Sequence, residues 1–325
     1  MAIDASIIIV NWNTRQLLAK CLLSLCQNTD GFELEIIVVD NASTDDSVPY
    51  VRQNFPNVKL ICNSTNKGFA AANNQGLALA CGKNILFLNS DTIVHTGALT
   101  AMVELLDTKP DAALCACRLV NEDGSVQHSV RSFPTFRAML ARHTICKYLG
   151  MFRDERNLYR TRNFDYDQTV QVDQLMGAVL MTKRDILERI GPMDENLYFY
   201  FEETDLCRRA RDEGLKVYFT PRGRITHLAR ASSNLLGSHT TWAMFLKSMF
   251  YYFRKHEGKT RTFLFAAVFK PGLYCYAVCE MLAGFGLAAA GVCLRREKDK
   301  IRQKLLRSRR CLLFLARYGL RFLFY

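Results

Sequence analysis

Five segments of this 325-residue chain carry side chains from which chemistry can be built. Asp40 follows the apolar run Glu35-Ile36-Ile37-Val38-Val39, and Asp91 follows Ile85-Leu86-Phe87-Leu88 within Asn89-Ser90-Asp91. Asn66-Lys67-Gly68-Phe69 offers a tight turn with a cation that can meet phosphate. Phe199-Tyr200-Phe201-Glu202-Glu203-Thr204-Asp205 runs three aromatics into three carboxylates, and His227 follows Arg224-Ile225-Thr226. Each has a plain structural explanation when taken alone. An aspartate after a strand forms turns or caps helices, acids at a helix start complement its dipole, and a lone histidine is ordinarily a satisfied core or surface residue. One chemistry that could use all five is the displacement of a diphosphate leaving group. Asp91 is placed to hold a divalent metal on the diphosphate, with His227 able to complete the site. Asp40 can accept a hydrogen bond from a nucleotide. An apolar wall beside Glu202, Glu203 and Asp205 raises a carboxyl pKa, as a general base requires.

These residues need a frame that brings them together. Ser6–Val10, Glu35–Asp40, Val58–Cys62 and Asn84–Leu88 read as short buried strands. Apolar spacing predicts helices at 15–27, about 45–54 and 68–81 between them. The βαβαβαβ order predicts a doubly wound, mainly parallel sheet, whose ligands bind at the carboxyl ends of the strands. Asn11, Asp40, Asn66 and Asp91 all lie just past strand ends, so they should share one crevice. Further along, a helix is expected at about 97–107 and a strand at 112–119. A mixed, loop-rich stretch over 121–170 is expected to shape an acceptor site. Val172–Thr182 reads as a strand interrupted at Gly177, followed by helices at 183–190 and 202–213. A last strand is expected at 216–220, with His227 beyond it.

The net charge of +12 is concentrated at one end of the chain. Residues 250–325 hold 16 Lys or Arg against 4 Asp or Glu, and the other 249 residues hold 27 of each sign. A neutral body with a basic, apolar tail argues against nucleic acid as a partner, since a recognition domain would itself be basic. It argues for an anionic membrane surface. Within the tail, Thr262–Phe269 and Leu273–Leu294 are apolar, separated by Lys270-Pro271-Gly272. The second run is long enough to span a bilayer or to lie in its interface, and Glu280 inside it would be costly in hydrocarbon. The twelve cysteines lack zinc-site spacing and read as reduced thiols. No secretory signal is expected, so the patterns Asn41-Ala42-Ser43 and Asn63-Ser64-Thr65 read as coincidental matches to a glycosylation motif.

Six collinear pieces carry a family resemblance across roughly residues 5–235. They are Ser6 to Asn13, Val38 to Asp45, Asn66 to Gly76, Leu86 to Asp91, Gly177-Ala178, and Phe201 to Arg209. This set resembles glycosyltransferase family 2 on the GT-A fold, and within it the bacterial rhamnosyltransferase-like group. The resemblance implies a catalytic domain over 1–238, with a nucleotide-sugar-binding half to about 110 and an acceptor-binding half over 111–238. The remainder, 239–325, would be a C-terminal helical, membrane-associating extension. It further implies an inverting single displacement with Mg2+ or Mn2+ as cofactor, rhamnose from dTDP-rhamnose or a UDP-sugar as donor, and a lipid-linked or cell-surface glycan as acceptor. The expected place is the cytoplasmic face of the cell membrane, peripheral or tail-anchored. Val10, Asn11, Asn13, Asp40, Asn41, Asn66, Lys67, Gly68, Asn73, Asn89 and Ser90 would line the nucleotide-sugar. Gly177 and Ala178 would face the acceptor, Asp91 and His227 the metal. Two positions depart from the family pattern. Asn89 stands where the Asp-X-Asp motif has its first acid, and Glu202-Glu203 stands for the usual Glu-Asp pair. Alignment makes Glu203 the base, with Glu202 and Asp205 as rivals. Sugar-nucleotide synthesis on a similar sheet would need a Gly-rich basic loop near the start, and Val10-Asn11-Trp12-Asn13-Thr14 supplies none. The non-catalytic alternative is a membrane-attached module that binds a sugar nucleotide or serves as a scaffold.

Overall fold

The computed structural model describes residues 3–228, 238–289 and 298–324. They form two compact units, residues 3–133 with 161–228, and residues 134–160 with 238–324. The first unit opens with β1 (Ala5–Asn11), α1 (Arg15–Gln27), β2 (Leu34–Asp40), α2 (Ser47–Asn54), β3 (Lys59–Cys62), α3 (Phe69–Leu79) and β4 (Asn84–Asn89). After β5 (Thr92–Val94) and α4 (Ala98–Thr108) come β6 (Ala112–Val120) and β7 (Val130–Arg131). The chain gives α5 (Phe136–His143) and α6 (Arg153–Tyr159) to the second unit. It returns as β8 (Val170–Val172), β9 (Gln174–Leu175), β10 (Val179–Lys183), α7 (Arg184–Ile190), α8 (Glu202–Asp212) and β11 (Lys216–His227).

Nine of these strands form one sheet in the order β3-β2-β1-β4-β10-β6-β11-β5, with β8 also paired to β11. Six point the same way, and β10, β5 and β8 run against them. The expected α/β, mainly parallel sheet is therefore present. Ile7, Ile8 and Ile9 are all fully buried, which requires helices on both faces of β1. Leu18, Cys21, Leu22 and Leu25 of α1 supply part of that cover. Strand register then sets the site. Asn11 pairs with Asp40 across β1 and β2, and Val10 with Asn89 across β1 and β4, so three adjacent parallel strands end at one level.

Two expectations for this unit need correction. The run over 172–182 is three short strands, broken at Asp173, whose carboxylate accepts from Phe133 N (3.0 Å), and at Met176-Gly177-Ala178. The last strand does not stop at Thr220. Pro221-Arg222-Gly223 reads as a turn, but it forms an irregularity inside β11, after which pairing resumes through Arg224, Ile225 and Thr226. Gly223 permits this with φ of +70°, and a Cβ there would lie 2.7 Å from Ala98 Cα. His227 is thus the last residue of a strand, paired with Thr92.

In the second unit, α9 (Ser238–His256), α10 (Lys259–Ala289) and α11 (Lys298–Phe324) join α5 and α6. Residues 134–160, expected within the catalytic body, cluster here instead. Phe136 explains why: its ring stacks on Phe265 at 4.7 Å and meets Phe253 at 4.6 Å, tying α5 to α10 and α9. The two apolar runs on either side of Lys270-Pro271-Gly272 belong to one helix, and α10 runs through Pro271. Proline there removes one hydrogen bond. Buried Phe269, Leu273, Tyr276 and Ala277 hold the helix on both sides of it. The segment 229–237 and residues 290–294 of the expected apolar run lie outside the described residues.

Candidate active site

The carboxyl end of β1, β2 and β4 carries a closed polar network. Asp40, 2% exposed, accepts from Asn11 Nδ2 at 2.9 Å and from Ser43 N at 2.9 Å. Ala42, at φ of +65°, folds the Asn41-Ala42-Ser43 turn back to make the second bond. Ser43 Oγ accepts from Asn11 Nδ2 (3.1 Å) and Asn13 N (2.9 Å). Asn41 splices in the next loop, donating to Gly68 O (3.1 Å) and accepting from Lys67 N (3.1 Å). Asn66 Oδ1 accepts from Gly68 N at 3.0 Å and from Tyr198 Oη at 3.0 Å. Val10 is half-buried beneath this network, and the Lys67 side chain is exposed beside it. Asn73 lies elsewhere, buried in α3 with its amide donating to Phe69 O (3.0 Å).

Asn89-Ser90-Asp91 joins β4 to β5 at the same end of the sheet. Ser90 Oγ hydrogen-bonds Thr14 Oγ1 at 2.9 Å, and Asn89 N donates to Ala178 O at 3.0 Å. Asp91 and His227 are 7% and 8% exposed, and Asp91 Oδ1 lies 3.3 Å from His227 Nε2. Leu228 N donates to Asp91 O (2.8 Å), which closes the pairing. The other ring nitrogen, Nδ1, is 2.7 Å from Gln127 Oε1. Gln127 Nε2 is committed as donor to Asn121 Oδ1 (2.9 Å) and His227 O (3.3 Å), so its Oε1 accepts and the ring donates from Nδ1. In the tautomer that carries its proton on Nδ1 alone, Nε2 would present a lone pair on the side of the Asp91 carboxylate. Two electron-pair donors at this spacing suit a shared cation. Adjacent ligand atoms of an octahedral Mg2+ are about 3 Å apart. Among the described residues no cluster of three or more His, Cys, Asp or Glu could hold a metal. Such a cation would have two protein ligands and would take the rest from substrate oxygens and water, the usual pattern for Mg2+ on phosphates.

The acidic segment is held against this platform. Gly68, at φ of +89°, lies so close that a Cβ would be 2.7 Å from Tyr198 O, and Tyr198 O accepts from Phe69 N (2.9 Å). Tyr200 and Phe201 follow at φ of 71° and 72°. Two consecutive non-glycine residues in the left-handed region cost of order 1–3 kcal/mol each. They turn the chain so that α8 starts at Glu202. Glu203 is half-buried beside Gly177, where an added Cβ would sit 3.4 Å from Glu203 Cβ. Burial raises its pKa from 4.5 to about 7, opposed by backbone hydrogen bonds and the nearby Arg131 charge. Glu202 is 6% exposed, with Oε2 unpartnered. Burial and the Glu203 charge push it well above the carboxylate range. Asp205 differs. It is fully buried and paired with Arg209 Nε at 2.8 Å, and Arg209 also donates to Gly191 O (3.0 Å) and Pro192 O (2.7 Å). That geometry makes Asp205 a strut between α7 and α8, not a group facing the crevice.

Gly177-Ala178 links the two halves of the site, with Ala178 bound to Asn89 and Gly177 beside Glu203. The structure thus brings Asn11, Asn13, Asp40, Asn41, Asn66, Lys67 and Gly68 into one network. Ser90, Asp91 and His227 form a second cluster at the same strand ends. Sequence reading missed Gln127, Asn121, Tyr198, Thr14 and Arg131. Nothing in the spacing of Gln127 marks it, because its partner lies 100 residues away. Ser43 stood inside a recognised segment, and its role follows only from the Ala42 turn.

The family model described as "Glycosyl transferase family 2" matches residues 6–191. The chain is 25% identical over 260 residues to the N-acetylglucosaminyl-diphospho-decaprenol L-rhamnosyltransferase of Mycobacterium tuberculosis, covering 74% of this chain and 83% of that one. It is 27% identical over 275 residues to rhamnosyltransferase WbbL of Escherichia coli, covering 82% and 99%. Among solved structures it is similar to the mannosyltransferase PcManGT from Pyrobaculum calidifontis in complex with GDP-Man and Mn2+. That likeness has a TM-score of 0.57 at 17% identity, covers 98% and 88% of the two chains, and shows the fold.

Gln127→Leu keeps the volume of the side chain and removes the acceptor for His227 Nδ1–H. Nitrogen-15 NMR of the His227 ring should find the proton on Nδ1 in the native protein and a mixture of tautomers in the variant. Unchanged ring shifts would show that Gln127 does not set the tautomer.

Proposed function

The chain belongs to glycosyltransferase family 2, and on that premise we propose that it moves a sugar, rhamnose from dTDP-rhamnose before any UDP-sugar, onto a lipid-linked or cell-surface glycan. The names of both rhamnosyltransferase relatives support rhamnose as the sugar, and the lipid-linked name of the mycobacterial one supports that acceptor. The observation that carries the reading is the meeting, at one end of the sheet, of the Asp40 network with the Asp91–His227 pair. Glu203 stands beyond Gly177-Ala178 with a pKa near 7.

In this mechanism the Asp40, Asn11, Asn41 and Asn66 network binds and orients the nucleotide. Asp91 Oδ1 and His227 Nε2 would hold Mg2+ or Mn2+, which supplies charge neutralisation of the leaving diphosphate. Asn89, in place of an acid, leaves Asp91 as the one carboxylate of that turn. Glu203 takes the proton from the acceptor hydroxyl as its oxygen attacks the anomeric carbon on the face opposite the diphosphate, so the displacement inverts configuration. Glu202, buried beside Glu203, stays protonated while Glu203 is charged, because two adjacent carboxylates cannot both ionise cheaply in a buried site. The acceptor places the reaction at the cytoplasmic face of the cell membrane, with the basic second unit as the point of attachment.

Asp91→Ala should lower kcat/KM at least about 100-fold, a loss of roughly 2.7 kcal/mol in transition-state stabilisation, with an unchanged melting temperature. Retained activity in nucleotide-release assays on the donor found by screening would remove Asp91 from the site. The pH profile is a second test. A base must be ionised, so with Glu203 titrating near 7 the rate should rise about tenfold per pH unit below that value and level off above it. Glu203→Gln should abolish the rising limb along with the activity. A flat profile through pH 6–8 would assign the proton transfer to another group.

A further inference from the structure

The apolar helix α10 is the feature of the second unit that the catalytic reading leaves unused. It is long and apolar enough over Lys259–Gly284 to cross a bilayer. Its two faces differ, however. One face is packed into its own unit. Phe265, Phe269, Leu273, Tyr276 and Ala277 are each at most 5% exposed, and Glu280 on that face is 1% exposed. Glu280 accepts from Tyr148 Oη at 2.5 Å and lies 3.8 Å from Lys147 Nζ, both from the segment just after α5. A crossing helix would have to tear out this aromatic face and carry a carboxylate into hydrocarbon, where ionisable groups are costly.

The other face is bare. Phe263, Leu264, Val268, Val278 and Leu282 are 72, 62, 59, 45 and 65% exposed. The thiols of Cys275 and Cys279 fall between them and are also exposed. The spacing 264, 268, 275, 278/279, 282 keeps one side of an α-helix, and the stripe is roughly 28 Å long at the usual rise per residue. Partly buried Lys270 flanks the stripe at the edge that Phe263 occupies, and no charged side chain lies among its exposed residues from Leu264 to Leu282. A stripe of this length without charge is more than the scattered apolar residues of an ordinary surface. Alongside runs α11, with Ser308 packed on Gly284 and Ser308 Oγ donating to Met281 O at 3.5 Å. It carries nine Lys or Arg against one Asp, and Arg302, Lys304, Arg307 and Arg309 are exposed. An exposed apolar stripe on one helix, with exposed cations distributed around the helix packed beside it, is the pairing that an anionic lipid surface attracts, by burial of the one and by charge with the others.

We propose that the second unit docks monotopically on an anionic bilayer. The exposed stripe of α10 lies in the plane of the lipid headgroups, and α10 does not cross. The proposal rests on the membrane location given above and specifies its geometry. Removing residues 240–325 is a poor test, because it would strip α5 of the packing around Phe136. The intact chain carries its own reporters. Cys275 and Cys279 lie on the stripe, while Cys26, Cys62 and Cys81 are exposed on the first unit.

The experiment is alkylation of the native protein by a water-soluble maleimide, read cysteine by cysteine by mass spectrometry. It is run with and without vesicles of phosphatidylglycerol, with phosphatidylcholine vesicles as control, and nucleotide release is assayed in parallel. Phosphatidylglycerol should slow Cys275 and Cys279 at least about tenfold and leave Cys26, Cys62 and Cys81 unchanged. Phosphatidylcholine should protect neither group at physiological salt, and a carbonate wash should release the protein and restore both thiols. Protection that survives the wash would mean that α10 crosses, and would overturn the proposal. Reactive stripe thiols on sedimented vesicles would place docking on another surface and overturn it equally. Protection that grows with protein concentration in the absence of lipid would assign the stripe to a second copy of the chain. Failure to bind vesicles at all, with nucleotide release intact, would overturn the membrane location and leave the enzymatic reading standing.

Discussion

The bond from Asn11 Nδ2 to Asp40 Oδ2 sits where the first unit has least freedom. Parallel strands end with backbone groups that no further residue of the sheet can satisfy, and every buried polar group there needs a partner. Here the carbonyls of Asn11 and Asp40 accept from Asn41 N and Asn63 N, and side chains satisfy one another and the turns that follow. Asn11 holds Asp40, Asp40 holds the Ser43 turn, and Ser43 holds Asn13. Asn41 extends the same network to Gly68, and Gly68 meets Tyr198. Breaking the first bond would leave a carboxylate 2% exposed without one of its two donors, a loss of about 1.5–3 kcal/mol for a bond to a charged group. It would also loosen the chain of contacts that fixes the segment leading to Glu203.

The acidic segment shows the opposite economy, since it is held in a state it would not choose. Tyr200 and Phe201 are both left-handed, and Glu202 and Glu203 are buried together at a helix start. Moving Glu203 from 4.5 to about 7 corresponds to roughly 3 kcal/mol against its ionised form. The helix dipole works against that shift, so burial is the larger effect. Strain and desolvation concentrated within four residues are what a poised base requires, and they are stable only because Gly68, Tyr198 and the Arg209–Asp205 strut hold both flanks.

Much of this was legible in the chain before any coordinates. The β-branched run at Ile7–Ile9, the helix spacing of Leu18, Cys21, Leu22 and Leu25, and the carboxylates after strands specify the sheet and the end at which its polar side chains gather. What was not legible depends on contacts remote in sequence. His227 meets Asp91 only because β11 continues past Pro221-Arg222-Gly223, three residues whose local preference is a turn. Gln127 acts through a partner 100 residues away. Pro271 marks a helix break by its own chemistry, yet α10 continues because aromatic packing on both sides outweighs one lost hydrogen bond. Alignment ranks Glu203 before Glu202 and Asp205, and the Arg209 pairing is what sets Asp205 apart in the structure.

The central claim is that one crevice couples departure of a diphosphate to attack by an acceptor hydroxyl. Release of nucleoside diphosphate from the sugar donor, followed with and without a lipid-linked glycan acceptor, tests it most directly when proton NMR reads the anomeric configuration of the product. The account predicts release that depends on acceptor and a product whose anomeric configuration is inverted relative to the donor. Release at the same rate without acceptor, or a product that retains the donor configuration, would contradict it.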